Sequence, residues 1–149
     1  MEWKLKTFEE LTNVELYRIL QERVNVFVVE QECPYPEVDG HDFVSRHLFL
    51  QDGDKVAAYL RILPKGTTYP EASIGRVIVS KDYRKRGLGL ELMSRALEFI
   101  RENTEDRTVK IQAQEYLRRF YGSFGFQAVS DVYLEDGIPH IDMVLVMDK

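Results

Sequence analysis

The 149-residue chain is 44% hydrophobic and 30% charged and carries eight Phe, eight Tyr and one Trp. That is enough bulk for one packed domain spanning residues 1–149, and it excludes wholesale disorder. Twenty-five Asp and Glu against twenty Lys and Arg give a net charge of −5, which argues against general nucleic-acid binding, because that rests on basic side chains neutralising phosphates. Residues 81–86 nevertheless hold four basic residues and one acidic, a local +3 that leaves −8 for the remainder. No apolar run approaches the ~20 residues that cross a bilayer, and Met1 opens into charged sequence rather than a signal peptide. Cys33 is the single cysteine, so no intrachain disulfide is expected and a reducing, cytoplasmic setting is.

Trp3 and Leu5 alternate with lysines as a short strand does. Thr12 followed by Glu15 fits a capping box, and Tyr17, Leu20, Val24, Phe27 and Val28 recur at helical spacing, which predicts a helix over 13–29. Residues 30–46, rich in Pro, Gly and charge, read as a long loop or short irregular helix, and a structureless connection of that length is often functional. Apolar runs at 47–51 and 55–63 around Asp52-Gly53-Asp54 predict a β-hairpin. A loop over 64–72 leads to a β-branched strand at 74–79, then the basic loop, then an amphipathic helix from about Gly87 to Asn103 with Leu92, Met93, Ala96, Leu97 and Ile100 on one stripe. A strand at 108–114, a short helix at 115–123 ending by Gly125, and strands at 126–135 and 138–147 around Asp136-Gly137 complete the chain. The strand–helix–strand unit requires a parallel pair and the hairpins require antiparallel ones. The expected fold is therefore a mixed α/β sheet with helices on both faces.

The basic loop runs from a buried strand through Arg84-Lys85-Arg86-Gly87-Leu88-Gly89-Leu90 into a helix. Unpaired N–H groups and the positive end of the helix dipole make such a turn an anion site. Glycines at 87 and 89 let a large anion approach the backbone. A phosphate or pyrophosphate fits this description. The Gly-Lys-Ser/Thr of a P-loop is absent, and Leu92 stands where a dinucleotide fingerprint needs a third small residue.

Arg84-x-x-Gly87-x-Gly89 resembles the acetyl-CoA signature of the GNAT superfamily of N-acetyltransferases. Phe120-Tyr121-Gly122-Ser123-Phe124-Gly125-Phe126 resembles its second hallmark. The likeness extends over the whole chain through Val29 to Tyr35, Tyr59 to Pro64 and Glu135 to His140, which look like the ElaA-type subgroup. The resemblance implies a GNAT fold with a splayed parallel strand pair and acetyl-CoA as co-substrate. It further implies acetyl transfer to a primary amine of a small molecule or peptide by direct attack in a ternary complex. Val77, Ile78 and Val79 would then offer backbone groups to the pantetheine arm and the thioester, and the amides of Lys85 to Leu90 would hold the pyrophosphate, with Arg84, Lys85 and Arg86 at the rim. Tyr121 would protonate the departing thiolate; read without the family, it is a core aromatic. Gln114 would substitute for a cofactor-contacting Asn.

Neither 74–79 nor 109–114 contains a carboxylate, so the general base that many relatives carry on these strands must come from elsewhere. Glu30, Glu37, Asp39, His47 and His140 are the candidates for base or substrate binding. His140 is the most interesting of them, because it lies in a strand among Ile138, Ile141 and Met143. The missing carboxylate also gives substance to an alternative, a module that binds CoA without catalysing transfer. A Cys33 hydrolase lacks any flanking signature, and Asp39, His41, Asp42 and His47 match no metal motif, so no metal is expected. A monomer or homodimer without a nucleic-acid or membrane partner completes the expectation.

Overall fold

The computed structural model describes residues 1–148. Strand β1 (Glu2–Thr7) leads to helix α1 (Asn13–Arg23), and the chain continues through a π-helical turn (Val24–Glu30) and a 3-10 turn (His41–Phe43) to β2 (Arg46–Asp52) and β3 (Lys55–Leu63). Strand β4 (Ala72–Val79) passes through a 3-10 turn (Lys81–Tyr83) into α2 (Leu88–Asn103). Strand β5 (Thr108–Gln114), a 3-10 turn (Glu115–Leu117), α3 (Arg118–Gly122), β6 (Gln127–Ala128), β7 (Tyr133–Glu135) and β8 (Ile138–Val146) follow. The strands form one mixed sheet in the order β1-β2-β3-β4-β5-β8-β6, with β7 also on β8. None of the described helices is long and apolar enough to cross a membrane.

Both predicted hairpins form, and the predicted helical stripe of α2 is fully buried. Leu92, Met93, Ala96, Leu97 and Ile100 pack on one sheet face with Val109, Ile111, Tyr121, Phe126, Ile141 and Met143. On the other face α1 and the π-turn bring Ile19 and Val26 against Phe49, Tyr59 and Ile78. Helices thus cover both faces, and only the β2–β4 half of the second face lies under α1.

Three departures from the sequence reading shape the site. The capping box at Thr12 and Glu15 is present, but the α-helix stops at Arg23, because four β-branched valines within Val24–Val29 crowd an α-turn. Tyr17 is correspondingly 72% exposed, and the inward face of α1 carries Glu15, Ile19 and Arg23. Periodicity counts apolar residues and misses a buried face made of charges. The predicted strand 126–135 is broken in two: Ser130 Oγ accepts from Asp142 N (2.9 Å), taking the place of a backbone partner. Last, β4 carries a β-bulge. Tyr59 pairs with Ile78 and Arg61 with Gly75, so Leu60 faces both Arg76 and Val77, and Arg76 sits at φ +52°.

The bulge lies where the sheet opens. Strands β4 and β5 pair only at Ala72–Val109 and Ser73–Lys110; beyond those two rungs they diverge, leaving a wedge between Val77–Val79 and Ile111–Gln114.

Candidate active site

The basic loop leads out of the wedge into the start of α2. Lys85 (φ +65°) and Gly87 (φ +73°) are left-handed, and no side chain caps the first turn of α2. Its leading N–H groups therefore point outward as an anion seat. At position 87 the glycine is demanded by φ rather than by crowding, since an added Cβ would meet nothing within 4 Å. An added Cβ at Gly89 would make only ordinary contact with Phe120 Cζ, at 3.5 Å. Tyr83 Oη donates to Asp52 Oδ2 (2.6 Å) and fixes the loop to the β2–β3 turn. Leu88 is half-buried against the core, and Leu90 is exposed.

The three basic side chains expected at the rim differ in availability. Arg84 forks onto Glu30 with contacts of 2.8 and 3.0 Å, and its Nε donates to the Val79 carbonyl (2.9 Å). Arg86 stacks on Tyr83, 5.3 Å from the ring centroid, and donates to Asp82 O (3.3 Å). Lys85 has no internal partner among the described residues.

Strand β4 offers fewer backbone groups than expected. Ser80 N donates to Ala57 O, and antiparallel pairs alternate, so the peptide groups of Ile78 face Tyr59 of β3. Those of Val77 and Val79 face the wedge. With the Val79 carbonyl taken by Arg84, the Val77 N–H, the Val77 C=O and the Val79 N–H remain for a ligand. Ile78 contributes packing only.

Tyr121, on α3, is 7% exposed, its ring edge-on to Phe120 (5.1 Å) and Phe126 (6.2 Å). Its hydroxyl has no hydrogen-bond partner among the described residues and is not sealed from solvent. Burial, with a lesser effect of Tyr116, pushes its phenol well above the ordinary value, so it holds its proton. Gln114 is engaged: its side-chain amide and that of Gln31 exchange hydrogen bonds of 3.3 and 3.4 Å across the mouth of the wedge. Cys33 Sγ meets Asp136 O at 3.4 Å. With Glu30 on Arg84, residues 30–33 thus strap together the basic loop, β5 and the β7–β8 turn.

Of the five base candidates, four are committed elsewhere. Arg23, fully buried, donates to Glu37 Oε1 and Asp42 Oδ1, both at 2.7 Å. Arg61 binds Asp39 (2.6 Å) and Asp42 (3.0 Å). Arg76, from the bulge, lies 2.9 Å from Glu37 and 3.3 Å from Asp39; its Nε is near Glu37 but misaligned for a hydrogen bond. Tyr35 Oη also donates to Glu37. Burial raises the Asp39 carboxyl, but hydrogen bonds from Arg61 outweigh it and hold the group far below the usual range, as Arg23 does for Asp42 against the same burial. His47 is sealed, Nδ1 at 2.7 Å from Tyr59 Oη and Nε2 at 3.0 Å from Asp42 O, and burial lowers its basicity. Glu30 is in the Arg84 fork. These residues secure the long loop against α1 and the bulge.

His140 is the exception. It is half-buried on β8, paired in register with Gln114. Its Nδ1 lies 2.7 Å from Ile138 O. A carbonyl only accepts, so Nδ1 carries the hydrogen and the neutral ring presents the lone pair of Nε2. That nitrogen has no partner among the described residues.

A recess of about 350 Å³ lies on the other flank of the basic loop, between α1 (Arg18, Glu22) and Ser80–Tyr83. It touches none of Val77, Val79, Gln114, Tyr121 or His140. No three His, Cys, Asp or Glu side chains among the described residues are grouped to hold a metal.

Residues 12–147 match the model of the acetyltransferase (GNAT) domain. The chain belongs to the GNAT acetyltransferase family. Protein ElaA of Escherichia coli is 45% identical over 145 residues, 96% of this chain and 95% of that one. A Schizosaccharomyces pombe protein, C11D3.02c, is 45% identical over 147 residues, covering 97% of each. Among solved structures, an acyl-CoA N-acyltransferase from Pseudomonas aeruginosa superposes with a TM-score of 0.89 at 46% identity, over 96% of this chain and 97% of its own. The Escherichia coli ElaA crystal structure gives 0.88 at 43%, with the same coverage. In this GNAT chain the family signature falls on the left-handed loop, and the second hallmark on the end of α3 and the turn after it. Sequence reasoning missed the bulge, the strap and the arginine network. The only signal for them was the density of charge in residues 30–46, which reads equally well as a solvated loop.

Proposed function

We propose that this protein is an acetyl-CoA-dependent N-acyltransferase that acetylates a primary amine by direct attack in a ternary complex. The observation that carries this reading is the wedge between β4 and β5, where the Val77 and Val79 peptide groups lack strand partners beside an anion seat of matching polarity. The residues fit the co-substrate. Lys85 and the amides from Lys85 to Leu90 suit a pyrophosphate, and the free Val77 and Val79 groups suit an extended amide-bearing arm. Bound there, acyl-CoA supplies an activated thioester carbonyl.

The chain's own residues supply proton handling and orientation. His140 Nε2 accepts the proton that an ammonium acceptor must lose before its nitrogen can attack. Fixing Nδ1–H on Ile138 O orients that lone pair. An N–H from β4 stabilises charge on the carbonyl oxygen. As the new C–N bond forms and the C–S bond breaks, Tyr121 donates its hydroxyl proton to the departing thiolate, and the second proton shed by the new amide nitrogen restores the phenol by way of solvent. Its raised affinity for that proton keeps it in the acid form beforehand.

Release of free thiol from acetyl-CoA across a panel of primary amines tests the reading. Tyr121→Phe is expected to lower kcat on the order of 10²-fold with little change in CoA affinity. His140→Gln is expected to lower kcat on the order of 10²-fold with little change in CoA affinity. CoA binding without turnover on any amine would return the chain to the non-catalytic module.

A further inference from the structure

The β5–β8 half of the sheet face not covered by α1 carries, beside His140, a row of polar side chains that the chemistry above does not use. Along β8, His140 and Asp142 face the same way, opposite Gln114 and Gln112 of β5. Asp142 is held firmly. Tyr133 Oη donates to its Oδ1, Gln112 Nε2 donates to that hydroxyl (3.0 Å), and its backbone N–H and C=O are fixed by Ser130 and Val129. The Tyr133 ring in turn stacks on His140, 6.3 Å between centroids at 27°. One side chain therefore joins the free imidazole to the carboxylate.

The charge around Asp142 is uncompensated, unlike that in the arginine network. Glu37, Asp39 and Asp42 each face a guanidinium within 3.0 Å. Asp142 has no ion-pair partner among the described residues, and its Oδ2 accepts no hydrogen bond. Glu71 Oε1 is buried and unpartnered. Tyr69 lies in the same field: burial first, then the Asp142, Glu135 and Glu71 carboxylates, raises its phenol. The ring of Tyr69 already takes an alkylammonium of the chain's own, Lys110 Nζ, 4.8 Å from its centroid. Lys110 stands opposite Val144 on β8, the next same-face rung beyond Asp142.

We infer that Asp142 determines acceptor specificity: its free carboxylate oxygen binds the distal ammonium of a short α,ω-diamine whose other nitrogen lies at His140. The inference rests on the N-acyltransferase reading. Two residues along a strand set the backbones of His140 and Asp142 about 6.8 Å apart, comparable with the span of a chain of roughly four or five carbons. The distal nitrogen stays protonated while the reacting one gives its proton to His140, so the product is a mono-N-acyl diamine. Lys110 stands one same-face rung beyond Asp142, where its charge disfavours a third cationic centre.

Calorimetry on the CoA-saturated protein compares 1,4-diaminobutane with butylamine, and steady-state thiol release compares the same pair. The diamine is expected to bind on the order of tenfold more tightly, the worth of one hydrogen bond to a charged group. Asp142→Asn keeps an acceptor for Tyr133 and is expected to collapse the diamine-to-monoamine ratio toward one. Lys110→Met tests the subsite without touching Asp142 and is expected to improve the affinity of a linear triamine relative to the diamine. Equal affinity for the two amines in the unmodified protein overturns the inference, as does an Asp142→Asn loss that falls equally on both. Turnover of monoamines without diamine preference sinks the subsite and leaves the transferase standing. A diamine preference in binding with no thiol release from any amine sinks the transferase and leaves the subsite.

Discussion

Replacing Glu30 by Gln separates two roles that the structure gives to Arg84. The guanidinium is held by a carboxylate fork at 2.8 and 3.0 Å and by the Val79 carbonyl at 2.9 Å. If Arg84 turns toward the pyrophosphate when CoA binds, the fork must first be broken. The two side chains are 38% and 42% exposed, so even with bidentate geometry the pair is worth at most about 1 kcal/mol. Removing the carboxylate therefore tightens CoA binding by up to about fivefold, since 1.4 kcal/mol is tenfold. It also steepens the fall in affinity with salt, because a phosphate contact is gained at the expense of an internal one. Titration calorimetry with CoA at two ionic strengths, on the unmodified protein and on Glu30→Gln, measures both. Affinity that is unchanged or weaker in the variant refutes the reasoning. Arg84 would then be a staple for the end of β4, and the anion would be held by the loop amides and Lys85. A kcat loss of order 10²-fold at unchanged CoA affinity would instead assign proton transfer to Glu30.

Two further outcomes concern stability. Arg23→Met leaves Glu37 and Asp42 buried without their shared partner; a loss near 3 kcal/mol in urea unfolding is expected, at the low end for a broken buried pair because Arg61 and Arg76 remain. A loss under about 1 kcal/mol would show that those two arginines suffice. At Glu15, burial raises the carboxyl, but the Thr12 N–H and the Lys6 and Lys4 ammonium groups outweigh it and bring it to about 2. Because the folded state depresses this group, its contribution is present above the ordinary carboxylate value of 4.5 and is lost as pH falls toward 2. Allowing for solvent at the two lysines, that contribution is about 1–2 kcal/mol. Thermal melts of Glu15→Gln and the unmodified protein should differ at neutral pH and converge in acid; a constant offset would remove Glu15 from the titration.

Local chemistry was legible wherever it is self-sufficient. The capping box, both Asp-Gly hairpins and the α2 stripe depend on residues within a few positions of one another, and all are present. The basic glycine loop between a strand and a helix was legible in the same way, because such a turn needs no distant partner. The unpaired lone pair of His140 could not be read, since it follows from which carbonyl faces Nδ1.

The amino-acid order by itself thus determined the order of most elements and the mixed sheet. Tertiary structure decided which charged residues remain free. Glu30, Glu37, Asp39 and His47 look alike in sequence as polar residues of one loop and the strand after it. The fold pairs each with a cation, a hydroxyl or a carbonyl from elsewhere in the chain: Glu37 and His47 are withdrawn from water and must find a partner, whereas Glu30 and Asp39 meet theirs at the surface. The +3 loop was likewise divided by tertiary contacts: Arg84 goes to Glu30 and Arg86 to Tyr83, Lys81 lines the recess beside α1, and Lys85 has no partner among the described residues. Composition counts charges, whereas burial and pairing decide which of them can still act.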